Sequence, residues 1–299
     1  MLASCVPKSN RPPEEKRQRT GALQNLTVGR LAALAYAPAV NVVALQLDIA
    51  WEDKPANFEK VHRLLTQAAP EKGSLVALPE MFATGFSMNV AAIAEPYGGP
   101  TEQFLASAAK EFGICLVAGA AMRGRDGQAR NKALVFSPTG ELLAFYAKMR
   151  PFTPGGESEH YAAGERPVTF RWNDWIVSPF ICYDVRFPEL FREAAATHRP
   201  ELFVVIANFP EKRIAHWVRL LQARAIENQA YVVGVNRVGR DPFFVYPGRS
   251  LIVDPHGEIL ADAGEREGCV SARLYMESLR KYRESLPFLA DMAKLTSKT

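Results

Sequence analysis

The chain has 299 residues, of which 48% are hydrophobic and 23% charged, so it can bury a sizeable core and has an ordinary globular composition. Its formal net charge is only +4, which does not indicate a nucleic-acid-binding protein. No apolar run approaches the roughly 18 residues that a membrane-spanning helix needs, and we therefore expect no membrane and no nucleic-acid partner.

The first 38 residues differ in composition from the rest of the chain. They are polar, show no strong periodicity, and carry a basic cluster at Lys16, Arg17 and Arg19. Such a segment buries too little apolar surface to fold by itself, so residues 1–38 are predicted to be a flexible N-terminal extension. A targeting segment and a misassigned start codon are alternatives, although Glu14 and Glu15 disfavour a transit peptide.

Strand and helix patterns alternate from residue 39 onward. In the first half of this region, apolar residues at helical spacing predict helices over 58–65 and 102–112. The turn Pro138-Thr139-Gly140 is expected to join two strands as a hairpin. The strands of this half are predicted at 42–45, 75–78, 114–121, 132–137 and 142–147.

The second half continues the alternation, with helices predicted over 188–197 and 214–228. The second helix carries an apolar stripe that fits either a partner helix or packing in the core; it consists of Ile214, Trp217, Leu220 and Leu221. No repeat or linker divides the region, which indicates one α/β domain over 39–299 with mixed sheets covered by helices. Its strands are predicted at 175–181, 202–207, 231–235, 250–253 and 258–261.

Cys182 is the candidate nucleophile. The four cysteines are widely scattered and form no C-x-x-C pair, which favours a reducing cytoplasm. Cys182 follows the apolar strand at 175–181 and precedes Pro188, which can begin a helix. A strand-to-helix turn exposes a side chain at the sheet edge, and helical N–H groups favour the thiolate by lowering the thiol pKa. A buried structural cysteine is the alternative interpretation.

Two further polar residues follow predicted strands. Lys148 comes directly after the strand at 142–147, where an ammonium can lower the pKa of a nearby thiol and stabilise an oxyanion. Glu80 follows the strand at 75–78 and has apolar neighbours, which suits a general acid and base. The commoner alternative for each is a solvated side chain at a strand end or in a loop.

Taken in chain order, Glu80, Lys148 and Cys182 resemble the Glu, Lys, Cys catalytic set of the nitrilase superfamily. The resemblance runs from about residue 39 to the mid-280s and implies a carbon-nitrogen hydrolase domain over 39–299. Accessory strings typical of the superfamily lie at 223–229, 236–237 and 254–258. The matching motifs are Leu78-Pro79-Glu80-Met81, Lys148 followed by Phe152, and Cys182-Tyr183-Asp184-Val185-Arg186-Phe187-Pro188.

The motif around Cys182 and the loop after Lys148 are most similar to the omega-amidase branch. Members carry a second glutamate in this loop, and Glu157 fits its place better than Glu159. The loop departs from the bacterial pattern at Pro151, where relatives usually have leucine. The resemblance implies a four-layer α-β-β-α sandwich, a homodimer or larger homo-oligomer, and no metal or organic cofactor.

The resemblance also implies roles for the site residues. Cys182 would attack an amide carbon, while Lys148 and the backbone N–H of Tyr183 stabilise the oxyanion. Glu80 would take the thiol proton, pass a proton to the departing ammonia, and then activate water against the thioester. Glu157 would hold Lys148 or the carboxylate network in place.

An omega-amidase would act on a small ω-amide of a dicarboxylic keto acid, such as 2-oxoglutaramate. Arg186 is the candidate to bind the distal carboxylate, because a guanidinium can hold a carboxylate with two parallel hydrogen bonds. An ion pair of Arg186 with Asp184 or Glu189 is the alternative.

Three other functions are weighed against this one. Another amidase of the superfamily, or an N-carbamoyl amino acid hydrolase, would share the same catalytic residues. A non-catalytic interaction protein with the same fold is disfavoured by the intact Glu80, Lys148 and Cys182. A papain-like protease is disfavoured because the segment after Cys182 lacks the expected pattern and no histidine stands out.

Overall fold

The computed structural model describes residues 39–296 and the side chains of residues 39–292. The extension predicted at 1–38 lies outside the described residues. Within the described part, no helix is both long and apolar enough to cross a membrane.

Strands and helices alternate along residues 39–296. The strands are β1 (Ala39–Gln46), β2 (Leu75–Ala77), β3 (Cys115–Arg123), β4 (Ala129–Phe136), β5 (Leu142–Ala147), β6 (Phe170–Trp172), β7 (Trp175–Ile181), β8 (Leu202–Ile206), β9 (Tyr231–Val235), β10 (Val238–Arg240), β11 (Val245–Pro247), β12 (Leu251–Val253), β13 (Ile259–Asp262) and β14 (Gly268–Tyr275). The α-helices are α1 (Lys54–Ala68), α2 (Val90–Ile93), α3 (Pro100–Phe112), α4 (Glu157–His160), α5 (Pro188–His198), α6 (Ile214–Asn228), α7 (Met276–Ser285) and α8 (Phe288–Thr296). Short 3-10 turns lie at Thr153–Gly155, Cys182–Arg186 and Glu211–Arg213.

Local sequence signals set the ends of the covering helices. The side chain of Asp53 accepts a hydrogen bond from the backbone N–H of Ala56 at 3.0 Å, and so caps α1. Helix α3 begins at Pro100, where the missing N–H of proline costs nothing. It ends before Gly113, whose φ of +64° suits glycine.

Two six-stranded sheets form the centre of the molecule. The first has the order β14-β1-β2-β3-β4-β5 and the second the order β13-β12-β9-β8-β7-β6. Three neighbouring strands in each sheet are parallel, namely β1, β2 and β3 in the first and β7, β8 and β9 in the second. The strands on either side of each parallel set pair antiparallel. Because parallel strands end at a common edge, the residues that follow them are brought together.

Alternating side chains divide the core into layers. On β1, Val42 and Ala44 belong to the large apolar cluster that also holds the second sheet and helices α5 and α6. The intervening Val43 and Leu45 pack with α1 and α3 on the other face. This alternation along one strand gives the helix, sheet, sheet, helix order of a four-layer sandwich. The predicted fold class is therefore confirmed.

The structure extends the predicted elements in several places. Every predicted strand and helix is present, and the hairpin predicted at Pro138-Thr139-Gly140 forms. Strands β6, β10, β11 and β14 and helices α2, α4, α7 and α8 were not predicted. Trp217 and Leu221 are buried in the core, and Ile214 and Leu220 pack against it. Core packing accounts for the apolar stripe of α6.

Candidate active site

Strands of both sheets deliver the candidate catalytic residues to one place. Glu80 lies three residues after β2, Lys148 directly follows β5, and Cys182 directly follows β7. Glu157 is the first residue of α4. The side chains of Glu80, Lys148 and Glu157 are fully buried, with residue exposures of 0%, 1% and 0%. Ionisable side chains buried this deeply must pair with one another, and these three are buried together.

Lys148 lies between two carboxylates. Its Nζ donates hydrogen bonds to Glu80 Oε1 at 2.9 Å and to Glu157 Oε2 at 2.7 Å. Asn131 on β4 donates from Nδ2 to the same two side chains, to Glu80 Oε1 at 2.6 Å and Glu157 Oε1 at 2.8 Å. The four side chains form a closed network, which fixes their positions relative to one another.

The charges of this network favour a protonated lysine. Burial lowers the pKa of Lys148, but the carboxylates of Glu157 and Glu80 outweigh it, and the net pKa is well above the usual range. Lys148 is therefore a permanent ammonium that can stabilise negative charge on a reacting oxygen. It is not itself a proton carrier at neutral pH.

Cys182 occupies a strained turn at the edge of the second sheet. Its φ of +47° lies in the left-handed region, which non-glycine residues seldom adopt. Burial and the charge of Glu80 raise the pKa of its thiol well above the usual range, and the opposing effect of Lys148 is smaller. The expectation that the turn lowers this pKa is wrong, because desolvation of the thiol dominates. A thiol in this environment needs a neighbouring base to take its proton if it is to act as a nucleophile.

Glu80 is held from its other side by Asn208, the second residue after β8. The backbone N–H of Asn208 donates to Glu80 Oε2 at 2.8 Å, and its Nδ2 donates to the Glu80 carbonyl oxygen at 2.7 Å. Asn236 in turn accepts from the backbone N–H of Phe209 at 2.7 Å and donates to the Phe209 carbonyl oxygen at 2.9 Å. The loop after β8 is thereby clamped beside the glutamate.

Asn131 and Asn208 were missed by sequence reasoning. Asn208 lies two residues after β8, just past a buried strand as Glu80 and Cys182 lie just past theirs, and this shared position is the signal that points to it. Asn131 lies inside β4, between Arg130 and Lys132, and no pattern in the sequence distinguishes it from other polar residues of a strand.

Glu157, and not Glu159, contacts Lys148. Glu157 is buried, whereas Glu159 is exposed. The backbone N–H of Phe152 also donates to Glu157 Oε2, at 2.5 Å, so the loop containing Pro151 closes onto the glutamate. The departure from the bacterial pattern at Pro151 leaves this contact intact.

Asp184 ties the turn of Cys182 to the end of β5. Its Oδ2 accepts from Tyr146 Oη at 2.8 Å and from the backbone N–H of Ile181 at 3.0 Å. Its Oδ1 accepts from the backbone N–H of Arg150 at 2.9 Å. Because these donors flank Lys148 and Cys182, Asp184 fixes the two candidate catalytic segments against each other.

Asp184→Asn is expected to lower the free energy of unfolding at pH 5 by about 1–3 kcal/mol, since the amide brings two N–H hydrogens to these donors where the protonated carboxyl brings one O–H. Burial raises the pKa of Asp184 from 3.8 to about 7. The folded protein thus keeps a proton that the unfolded chain releases, and the stability from Asp184 falls as pH rises from about 4 through 7. Urea unfolding of wild type and Asp184→Asn should show a smaller difference in the free energy of unfolding at pH 8 than at pH 5. A larger difference at pH 8 would contradict the raised pKa of Asp184.

A narrow pocket opens over Cys182 and Glu80. Its walls are largely aromatic, formed by Phe86, Phe152, Tyr183, Phe209, Phe244 and Tyr246, and Asn208 and Pro210 complete them. Two arginines, Arg186 and Arg213, also line it. Such a pocket suits a small substrate with one charged end.

Arg186 is half-buried in this pocket, and its guanidinium lies over the rings of Tyr183 and Phe209 at 5.9 and 5.4 Å. Its Nη1 lies 3.2 Å from His216 Nδ1. Among the described side chains, no carboxylate lies within ion-pair distance of Arg186, so the alternative pairing with Asp184 or Glu189 is absent.

Comparison with known proteins identifies the family. The family model for carbon-nitrogen hydrolases matches residues 41–284. The chain is 36% identical to omega-amidase YafV of Escherichia coli (strain K12) over 256 residues, which cover 85% of this chain and 97% of that protein. It is 32% identical to 2-oxoglutaramate amidase of Bacillus subtilis (strain 168) over 254 residues, again 85% and 97% of the two chains.

Among solved structures, a CN-hydrolase superfamily protein of Xanthomonas campestris has a TM-score of 0.80 to this chain at 33% identity. The alignment covers 85% of this chain and 97% of that one, and that crystal structure holds an arsenic adduct in its active site. Family model, relatives and structure agree on the family that the motifs around Glu80, Lys148 and Cys182 resemble. The chain belongs to the carbon-nitrogen hydrolase family and is a hydrolase of the nitrilase superfamily.

Proposed function

We propose that this hydrolase is an omega-amidase, which converts a small ω-amide of a dicarboxylic keto acid into the free acid and ammonia. One observation carries the proposal: a buried Glu80–Lys148–Glu157 network lies beside Cys182, under a pocket whose arginines have no carboxylate partner among the described residues. The names of the two curated relatives point to the same substrate class.

The first half of the reaction uses Glu80 as base and Cys182 as nucleophile. Glu80 accepts the thiol proton as sulfur attacks the amide carbon, which the raised pKa of the thiol requires. Lys148 and the backbone N–H of Tyr183 stabilise the oxyanion. The carbon–nitrogen bond then breaks, the departing nitrogen takes the proton from Glu80, and ammonia leaves a thioester on Cys182.

The second half hydrolyses the thioester. Glu80 removes a proton from water as the water oxygen attacks the acyl carbon, and the carbon–sulfur bond breaks. The sulfur recovers its proton from Glu80, and the carboxylic acid is released. Glu157 keeps Lys148 pointed at the reacting oxygen throughout, through the 2.7 Å hydrogen bond to Nζ. No step needs a metal ion or an organic cofactor.

Ammonia release from a panel of amides tests the proposal. We expect the highest kcat/KM with 2-oxoglutaramate and lower values with glutamine, a neutral aliphatic amide, an N-carbamoyl amino acid and a nitrile. The aromatic walls and the arginines favour a short chain with a terminal carboxylate and no ammonium group. A clear preference for the N-carbamoyl amino acid, or for the neutral amide, would replace the omega-amidase assignment with another activity of the superfamily.

Arg186→Lys is expected to reduce kcat/KM for acidic ω-amides by about ten- to a hundredfold, because an ammonium lacks the planar fork that holds a carboxylate. The kcat/KM for neutral amides should stay unchanged. Steady-state kinetics are measured with both substrate types in both proteins. The ratio of kcat/KM for acidic amides to that for neutral amides is then independent of general damage to the site. Equal losses on charged and neutral amides would remove Arg186 from substrate binding.

We also propose that the enzyme works in the cytoplasm as a homodimer or larger homo-oligomer. Three cysteines of the described residues, Cys115, Cys182 and Cys269, are free thiols, as in a reducing compartment. Helix α6 leaves Ile226 46% exposed, an apolar side chain that a second copy of the chain could cover.

A further inference from the structure

Arg213 lies at the same sheet edge as the nucleophile. It ends the turn Glu211–Arg213, which follows β8 after Asn208, while Cys182 follows the neighbouring parallel strand β7. Because Ile181 stands opposite Ile206, the two strands end level with each other. The guanidinium of Arg213 consequently reaches the pocket that holds Cys182 and Glu80.

This guanidinium has no polar partner among the described residues. No side chain or carbonyl oxygen there accepts a hydrogen bond from it, and no carboxylate lies within 4.0 Å. Other arginines that leave the solvent find acceptors: Arg224 pairs with Glu227 at 2.6 Å, and Arg283 donates to backbone carbonyl oxygens. Arg213 thus presents unused N–H donors to an aromatic pocket, where an anion is the matching partner.

The position of Arg213 is tied to the catalytic network. Its guanidinium lies over the ring of Phe152, 5.2 Å from the ring centroid. The backbone N–H of Phe152 donates to Glu157 Oε2, and Glu157 binds Lys148. The platform under Arg213 is therefore held at a defined place relative to the reacting centre.

From this geometry we infer that Arg213 is a second recognition residue for the carboxylate end of the substrate, acting together with Arg186. The inference rests on the proposed omega-amidase function. A 2-oxo acid offers two carboxylate oxygens and a keto oxygen, more acceptors than one guanidinium fork fills. Two forks in one pocket can bind this end of the molecule while the amide lies over Cys182. The pair would select amides that carry a carboxylate against neutral ones of the same length.

Arg213→Gln tests the inference, with Lys212→Gln as the matched control. Lys212 is on the same turn, carries the same charge and is exposed outside the pocket over Cys182. Kinetics are measured with glutaramate and with pentanamide, which has the same chain length but no carboxylate. We expect Arg213→Gln to lose about ten- to a hundredfold in kcat/KM on glutaramate, mainly through KM. The pentanamide rate and both rates of Lys212→Gln should stay within about twofold of wild type.

The outcomes separate this inference from the proposed function. Equal losses on glutaramate and pentanamide, or no loss on either, would overturn the role of Arg213 and leave the omega-amidase proposal standing. An equal loss on glutaramate in Lys212→Gln would show that only net charge matters, and would also overturn it. If wild type itself fails to prefer glutaramate over pentanamide, the proposed function fails and the inference falls with it.

Discussion

Cys182→Ala is expected to abolish amide hydrolysis, with a loss on the order of 10⁴-fold or more, while the protein stays folded. The covalent route has no substitute nucleophile, because Lys148 is held as an ammonium between Glu80 and Glu157. The thiol makes one polar contact in the described residues, 3.8 Å from the carbonyl oxygen of Asn208. Its removal therefore costs little stability.

Ammonia release and thermal unfolding of the same preparation measure both parts of this prediction. Cys269→Ala is the matched control, since Cys269 is an exposed free thiol on β14, outside the pocket that holds Cys182. We expect the control to keep wild-type activity. Substantial turnover by a freshly purified, stable Cys182→Ala protein would rule out the covalent mechanism.

Glu80→Gln is expected to reduce kcat by at least about 10²-fold, the low end for the loss of a general acid and base. Glutamine has nearly the same shape but accepts no proton from the thiol. Its N–H₂ must also face a donor, either at the Asn208 N–H or at Lys148 and Asn131. Glu159→Gln, an exposed change on α4, is the control and should be silent.

Glu80→Gln also permits a second measurement, which would not change if the role of Glu80 were purely structural. Glu80 is one of the causes that raise the pKa of the Cys182 thiol, so its neutralisation should lower that pKa. The pH profile of iodoacetamide alkylation of Cys182 should shift to lower pH in Glu80→Gln. An unchanged profile together with a rate loss below a few-fold would show that Glu80 is not the base.

The main elements of the fold could be predicted because buried strands give continuous apolar runs. The runs that form β2, β7 and β8 are of this kind, and every residue of β2 and β8 is buried. Strand β14 was missed although it has the period of a half-buried strand, since Val270, Ala272 and Leu274 face the core and alternate with exposed residues. The signal that found β2, β7 and β8, a continuous apolar run, is absent from β14.

Within the site, residues at strand ends could be predicted from the sequence, whereas residues inside strands or in loops could not. Glu80, Lys148 and Cys182 stand out because each is a polar residue just past a buried or apolar strand, and the ends of these strands from the two sheets meet at one place. Asn131 could not be predicted, because its role depends on hydrogen bonds to two glutamates that are distant in sequence. Arg213 could not be predicted for a different reason. An arginine in a loop is normally solvated, and only the structure shows that its guanidinium has no acceptor among the described residues.

The sign of the Cys182 pKa shift could not be predicted from the turn alone. Helical N–H groups and Lys148 favour the thiolate, but desolvation and the Glu80 carboxylate oppose it and prevail. Burial is a property of the packed molecule, and the local sequence does not contain it.

Trapping of the acyl-enzyme is the sharpest test of hydrolysis through Cys182. Wild-type protein is allowed to turn over glutaramate, which has no keto group to condense with the trapping reagent, with increasing hydroxylamine, which competes with water for the thioester. We expect hydroxamate that increases with hydroxylamine, one ammonia released per substrate consumed, and an acyl group on the Cys182 peptide after rapid acid quenching. Release of ammonia and free acid with no hydroxamate at any hydroxylamine concentration, or an acyl group on another residue, would contradict hydrolysis through Cys182.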